Sequence, residues 1–478
     1  MIDFSIFNDI FATTFHVLYF VMIIGTIAIV VLDNRQPVKT MAWILVLAFL
    51  PVIGLVFYFF FGRSTRKEKL ISRKGITRLT KHPMAEYQAQ AAFNCPEEQY
   101  QLMHFFRQVS RALPFDGNAI EIYSDGLSML QALIKEIGKA KHHIHLQFYI
   151  FEDDPAGRLL RDLLIDKARQ GVEVRLLYDD VGCWHVPHTF YDEMRGAGIE
   201  VRNFLKVFFP LFTSKVNYRN HRKIAVIDGR VAFTGGMNIA HRYIKGVPWG
   251  IWRDAHIRIK GKAVYGLQTA FLTDWYVVDR TLITSARYCP EIEPCGNALI
   301  QIVTSNPVGE CHDIMQGLLI AINSSRKYFY IQTPYLLPTD PILLSLKTAA
   351  LAGVDVRIMI PKRADARITH LGSRSYLDDM MRAGVKIYLY NKGFLHSKLM
   401  VSDDTLSTIG STNMDFRSFE HNFEINAFMY DPASAQKVKE IFLQDQKDSI
   451  LLQRKEWIKR PWYQKVEESI VRLLAPLL

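Results

Sequence analysis

The strongest constraint on the fold is a repetition. The stretch His221-Arg-Lys223-Ile-Ala-Val-Ile-Asp228 returns 175 residues later as His396-Ser-Lys398-Leu-Met-Val-Ser-Asp403, and both copies continue alike. Seven positions after each aspartate comes a small pair, Gly235-Gly236 or Gly410-Ser411, and two positions beyond that pair an asparagine, Asn238 or Asn413. One such stretch would say little, because a His and a Lys at alternate positions of a strand are usually its polar face. Two copies with the same tail require a duplicated unit.

The flanking sequence repeats in the same order. Strand patterns over 119–123, 143–151 and 172–178, with helical ones over 129–140 and 156–170, precede the first copy. Strands over 299–304, 328–333 and 354–360, with helices over 315–323 and 341–352, precede the second. Short echoes set the register, such as Gly171-Val-Glu-Val-Arg175 beside Gly353-Val-Asp-Val-Arg357. The alternation predicts an α/β fold of two duplicated lobes about a pseudo-twofold axis, each with a central mixed sheet flanked by helices. Asp228-Gly229 and Asp403-Asp404 read as turns between strands.

Residues 12–32 and 41–61 each lack Asp, Glu, Lys and Arg over 21 positions, long enough at 1.5 Å per residue for roughly 30 Å of hydrocarbon, so the fold is expected to open with a transmembrane helical hairpin. No Lys or Arg precedes the first run, which argues against a cleaved signal peptide. Pro51 and Gly54 interrupt the second, so it can kink or dip rather than cross. Six basic residues between Arg63 and Lys74 place the remainder of the chain in the cytoplasm. The expected organisation is a membrane anchor (1–62), a basic linker with an amphipathic lead-in helix (63–114), the two lobes (115–285 and 286–448) and an amphipathic tail (449–478).

Lys and Arg number 58 against 47 Asp and Glu, a formal charge of +11 that favours anionic partners, nucleic acid or anionic lipid. The five cysteines form no C-x-x-C pair and no zinc-site spacing, so they read as reduced, mostly buried thiols. One His, one Lys and one Asn from each lobe suit a phosphodiester. Lys223, Lys398, Asn238 and Asn413 supply donors and charge to the phosphoryl oxygens, one imidazole attacks, and the other protonates the leaving oxygen. Each imidazole needs an acceptor on its other nitrogen. Asp254, 33 residues after His221, and Glu424, 28 after His396, are the candidates, Asp254 for His221 and Glu424 for His396. Asp228 and Asp403, seven positions along a strand from their histidines, point to the opposite face and suit turns better than chemistry.

The duplicated His-x-Lys-x4-Asp pattern resembles the phospholipase D superfamily. Asn34-Arg35-Gln-Pro37 before Ala42-Trp43, Gln332-Thr-Pro-Tyr335, Gly393-Phe-Leu-His396, Asp415-Phe-Arg417-Ser418-Phe419 and the tail Arg460-Pro461 with Pro476-Leu-Leu478 are similar to bacterial cardiolipin synthases of that superfamily. The resemblance implies catalytic residues His221, Lys223, Asp228, His396, Lys398 and Asp403, with His221 as nucleophile. It implies a phosphatidyl-histidine intermediate, phosphatidylglycerol as substrate, cardiolipin and glycerol as products, and no cofactor or metal. An anionic bacterial inner membrane is the expected setting, the lobes on its cytoplasmic side, with no nucleic acid partner; a homo-oligomer is compatible. The motifs equally fit a phospholipase D that passes the intermediate to water, and less well a tethered nuclease. The apolar run 207–212 reads as a loop dipping into the bilayer, and Trp457, Trp462 and Tyr463 among Lys455, Lys459, Arg460 and Lys465 as an interfacial anchor or a packed tail.

Overall fold

The computed structural model describes residues 4–32, 37–58, 96–207, 218–309 and 311–475. The basic run 63–74 and the apolar run 208–212, both singled out in the sequence, lie outside these residues. Two compact units are distinguished, an N-terminal helical one and a large one formed by 69–206 and 217–478.

The N-terminal unit holds helices α1 (Phe4–Leu32), α2 (Pro37–Phe49) and α3 (Pro51–Phe57). Among the described residues no helix is long and apolar enough to cross a membrane, so two full crossings are not upheld. Pro51, which has no N–H, ends α2 after 13 residues, about 20 Å against the roughly 30 Å required. Val30, Leu47 and Tyr58 are buried together, with Trp43 edge-on to Tyr58 at 5.4 Å, while Leu18, Phe20, Val21 and Ile24 stand exposed.

In the large unit the first lobe contributes β1 (Pro114–Tyr123), β2 (His143–Phe148), β3 (Glu173–Asp179), β4 (Glu200–Phe204), β5 (Ile224–Ile227), β6 (Val231–Gly235), β7 (Ile251–Arg253) and β8 (His256–Lys260). The second contributes β9 (Ala298–Ser305), β10 (Tyr328–Gln332), β11 (Leu336–Leu337), β12 (Asp355–Pro361), β13 (Lys386–Tyr390), β14 (Gly393–Leu395), β15 (Leu399–Ser402), β16 (Leu406–Gly410), β17 (Met414–Asp415), β18 (Glu424–Met429) and β19 (Ser449–Leu451). The lobes do not carry separate sheets. Fifteen strands form one sheet in the order β19-β13-β12-β10-β15-β16-β18-β9-β1-β8-β6-β5-β2-β3-β4. Read outward from the β1·β9 seam, the first lobe runs β1-β8-β6-β5-β2-β3-β4 and the second repeats it as β9-β18-β16-β15-β10-β12-β13. At the seam β1 pairs antiparallel with β9 and bulges between Phe115 and Asn118. The Asn118 amide spans the bulge, donating to the carbonyls of Phe115 at 2.6 Å and Ala298 at 3.0 Å.

Two helices that the sequence reading passed over, Val264–Asp279 and Pro432–Lys447, pack on a common face of this sheet. Phe271 and Trp275 from one and Val438 and Phe442 from the other belong to one continuous apolar core, which therefore crosses the seam. The tail packs as well. Trp457 is buried with the guanidinium groups of Arg374 and Arg460 each 4.5 Å from its ring, and buried Glu468 accepts from both arginines. Trp462, Tyr463, Ile470 and Leu473 on the outer face of helix Trp462–Leu473 remain exposed. Among the four described cysteines only Cys183 is buried, against the expectation of mostly buried thiols; all four are free.

Candidate active site

Both motif histidines stand where their chain segments cross to the other lobe. Asn220 bridges Phe423 in parallel, the His221 N–H donates to the Phe423 carbonyl at 2.9 Å, and the Phe423 N–H donates to Arg219 at 2.9 Å. In the second copy β14 pairs parallel with β7, and the His396 N–H donates to the Arg253 carbonyl at 2.7 Å. This close pairing requires glycine at Gly393, where a Cβ would lie 2.0 Å from the Ile251 carbonyl oxygen. Each histidine backbone is thus fastened to the residue immediately before the opposite lobe's carboxylate.

The side chains follow the backbone. His221 Nδ1 lies 3.0 and 3.1 Å from the two carboxylate oxygens of Glu424, and His396 Nδ1 lies 2.6 Å from Asp254 Oδ2. The sequence-based pairing of Asp254 with His221 is therefore corrected: the carboxylates are exchanged between lobes. Pairing by chain order fails because the partners are brought together across the seam, 203 and 142 residues apart. A carboxylate can only accept, so Nδ1 carries the proton and Nε2 of each ring is left to the site.

The two carboxylates are held differently. Glu424 also accepts from the Ser411 hydroxyl and from Asn422 Nδ2 at 3.0 Å. Burial acts to raise its carboxyl, but His221 and Lys223 beside it prevail and hold it below its ordinary range. Asp254 accepts from the Ala255 N–H at 2.7 Å, and burial pushes it up to about 6. The small pair explains the difference, since Ser411 reaches Glu424 whereas a Cβ on its counterpart Gly236 would lie 2.1 Å from Asp254 Oδ1.

Lys223 Nζ donates to the His221 carbonyl at 2.6 Å, and Lys398 repeats this contact with His396. Burial lowers Lys223 to about 7 and Lys398 to about 8, each also influenced by the carboxylates of both lobes. Burial likewise lowers His221 to about 4 and His396 well below its ordinary value, with the charges of Lys398, Lys223 and His221 adding to the effect on His396. Imidazoles and ammonium groups of both lobes therefore act on one another within a single site.

The remaining candidates divide. Asn238 Oδ1 accepts from the Ile150 N–H at 3.1 Å and its amide donates to Tyr243 Oη at 2.8 Å, so it ties Ile150 to Tyr243, whose ring stands 6.2 Å from His396. Asn413 donates to Asp415 at 3.2 Å, and its Oδ1 is buried without a hydrogen-bond partner. Asp228 and Asp403 stand beyond the far ends of β5 and β15 from the histidines. Asp228 accepts the N–H groups of Lys141, His142 and His143 at 2.8–2.9 Å, and Asp403 those of Arg326, Lys327 and Tyr328 at 2.6–2.9 Å. Both adopt φ of 52°, turn geometry that aspartate tolerates. Their place in the motif is the clamp that starts β2 and β10, which corrects the implied catalytic assignment.

Several contributors were missed. The Tyr149 ring stands 5.1 Å from His221, and Trp252 stands 5.4 Å from His396. Beneath the site Arg222 pairs with Asp274 at 2.7 Å and donates to the Glu424 carbonyl at 3.0 Å, while Arg253 pairs with Asp445 at 2.9 Å. Gln147 and Gln332, at the paired Gln positions of the echoes His145-Leu-Gln147 and Tyr330-Ile-Gln332, donate to Asp274 and Asp445 at 2.6 and 2.9 Å. Those two glutamines, polar residues in apolar strands that cannot be left unpaired, were the available signal. Among the described residues no group of three His, Cys, Asp or Glu side chains could hold a metal ion.

Comparison with known proteins bears on the family and the fold. A family described as cardiolipin synthase, PLD-like domain, matches residues 133–275 and 318–446, and one described as a phospholipase D-nuclease N-terminal segment matches 17–63. The chain is 40% identical to a cardiolipin synthase of Geobacillus sp. (strain WCH70), covering 94% of this chain and 91% of that one. It is 38% identical to the major cardiolipin synthase of Bacillus subtilis (strain 168), covering 96% and 98%. The crystal structure of phosphatidylserine synthase from Haemophilus influenzae shares the fold at a TM-score of 0.57 and 14% identity, over 79% of this chain and 98% of that one.

Proposed function

This chain belongs to the cardiolipin synthase family with phospholipase D-like domains, and from that membership we infer a phosphatidyl transfer through a histidine of its composite site. It is a cardiolipin synthase. Two phosphatidylglycerol molecules give cardiolipin and glycerol, and one phosphodiester is exchanged for another, so no nucleotide is consumed.

The observation that carries the mechanism is the pair of imidazoles, each with Nδ1 on a carboxylate of the opposite lobe. Glu424 fixes the tautomer of His221 and offsets the charge the ring acquires when Nε2 attacks phosphorus. As the phosphorus–nitrogen bond forms, the bond to the glycerol oxygen breaks and His396 delivers a proton to that oxygen. In the second half His396 takes the proton from a hydroxyl of the second phosphatidylglycerol, whose oxygen displaces His221. Lys223, Lys398 and the amide of Asn413 supply positive charge and donors to the phosphoryl oxygens. His396 must be charged to act first as an acid, although burial, with the charges of Lys398 and Lys223 adding to it, favours the neutral ring. The negative phosphodiester offsets those lysines, so substrate entry itself favours the charged imidazole.

The enzyme works at a lipid surface, with the lobes on the cytoplasmic face of the bacterial inner membrane. Exposed Leu18, Phe20, Val21 and Ile24 of α1 and the exposed aromatic and apolar face of helix Trp462–Leu473 support this. The six basic residues from Arg63 to Lys74 suit the anionic headgroups of that face. Incubating the full chain with phosphatidylglycerol vesicles and separating lipids by thin-layer chromatography tests the activity. Cardiolipin accumulation is expected, and phosphatidic acid without cardiolipin would defeat the synthase assignment in favour of hydrolysis.

A further inference from the structure

The duplication places an arginine at the same distance beyond each motif asparagine: Arg242 four residues after Asn238 and Arg417 four residues after Asn413. The two have different surroundings. Arg242 is ion-paired with Glu152 and lies over the Trp252 ring, 5.6 Å from its centroid, on the His396 side of the site. Arg417 is half-buried in the short helix Phe416–Glu420, and among the described residues its guanidinium has no hydrogen bond and no carboxylate partner.

Arg417 is nevertheless held in place. Asp415 caps its helix by accepting the Ser418 N–H at 2.7 Å. The Arg417 carbonyl accepts the N–H groups of His421 and Asn422, both at 2.9 Å, and Asn422 grips Glu424. That turn is thereby joined to the His221 side of the site, since Glu424, held by Asn422 at 3.0 Å, is the carboxylate on which His221 Nδ1 rests at 3.0 Å. One copy of a duplicated cation is neutralised by the protein and the other is left to be neutralised by something else.

The chemistry of the reaction supplies a second anion. The donor phosphatidylglycerol presents the phosphate under attack, but the acceptor presents a glycerol hydroxyl with its own unreactive phosphodiester three carbons away. We propose that Arg417 receives this spectator phosphate and so selects a phospholipid rather than water or a neutral alcohol as acceptor. The assignment rests on the cardiolipin synthase reading and adds to it the residue that recognises the acceptor. A guanidinium fits because its planar donors pair two phosphoryl oxygens at once.

The test separates acceptor recognition from the steps it follows. Exchange of labelled glycerol into phosphatidylglycerol uses the same phosphatidyl-histidine and a neutral acceptor, whereas cardiolipin formation uses an anionic one. Both are measured on full-length wild type, Arg417→Gln, Arg417→Lys and Arg242→Gln in phosphatidylglycerol vesicles. The ratio of cardiolipin formation to glycerol exchange is expected to fall roughly tenfold or more in Arg417→Gln, from the loss of a charge-assisted contact. It should recover partly in Arg417→Lys and stay near the wild-type ratio in Arg242→Gln. A parallel fall of both reactions in Arg417→Gln would make Arg417 structural or catalytic and overturn the proposal, as would an unchanged ratio or an equal fall in Arg242→Gln. Exchange without any cardiolipin from the wild type would instead remove the synthase activity beneath it.

Discussion

The exchange of carboxylates between lobes can be tested by asking which histidine each carboxylate serves. In Glu424→Gln, His221 loses an acceptor whose two oxygens lie 3.0 and 3.1 Å from Nδ1. A hydrogen bond to a charged group contributes about 1.5–3 kcal/mol, so phosphatidyl-enzyme formation should slow ~10- to 150-fold. The loss is greater if the new amide donates to Nδ1, because the proton then moves to the nitrogen that must attack. Ser411 and Asn422 hold residue 424 in position and limit any escape by rotation. Asp254→Asn should slow turnover through His396 instead, at proton transfer to the leaving oxygen. The assay is rapid-quench trapping of the labelled phosphatidyl-enzyme with phosphatidylglycerol and with a phosphatidyl ester of p-nitrophenol, a leaving group that needs no proton. Asp254→Asn should regain burst formation with the activated ester, and Glu424→Gln should not. The reverse pattern, with Glu424→Gln rescued and Asp254→Asn not, would refute the cross-lobe assignment.

The same geometry sets further expectations. Asp228→Ala and Asp403→Ala each remove the acceptor of three backbone N–H groups and should cost about 2–3 kcal/mol, read as a lower thermal midpoint, with turnover per folded molecule little changed. Ser411→Ala should slow turnover about fivefold through Glu424, whereas Gly236→Ala, whose Cβ would lie 2.1 Å from Asp254 Oδ1, should cost more; steady-state rates compare them. Plotted against pH, kcat/KM should fall as pH rises through about 7–8, because Lys223 and Lys398 there lose the charges that attract phosphate, and its acid limb should lie near pH 4, where His221 gains a proton. Folding stability has the opposite sign. Between about pH 7 and 10.5 the unfolded chain keeps lysine protons the folded chain has shed, so these lysines make stability rise across that window, as denaturation midpoints at several pH values would register.

The histidines and lysines were legible because duplication places them at fixed offsets, and the turns at Asp228 and Asp403 because a turn has local chemistry, whereas the contacts of Asn238 with Ile150 and Tyr243 carry no such signal. The strands and helices preceding each motif were legible for the same reason, their periodicity being local. The pairing of His221 with Glu424 has no local signal at all, since it depends on β1 meeting β9. Helix Val264–Asp279 was passed over because so many of its faces are buried that its apolar residues show no single stripe. Helix Pro432–Lys447 did carry a start signal, Asp431 accepting from Ser434 ahead of Pro432, and could have been read. The apolar length of residues 41–61 suggested a crossing, but Pro51 divides it.

The sheet continuous across β1 and β9 has a consequence for how such a chain could arise or be divided. Half of this molecule would hold a histidine without its acid and an acid without its histidine. A single-lobe ancestor could therefore have worked only as a pair of copies, each lending its carboxylate to the other. Fusing the copies made permanent a partnership that had depended on concentration. Cutting the chain between the lobes should recreate that dependence, giving two inert halves whose activity returns only when they meet.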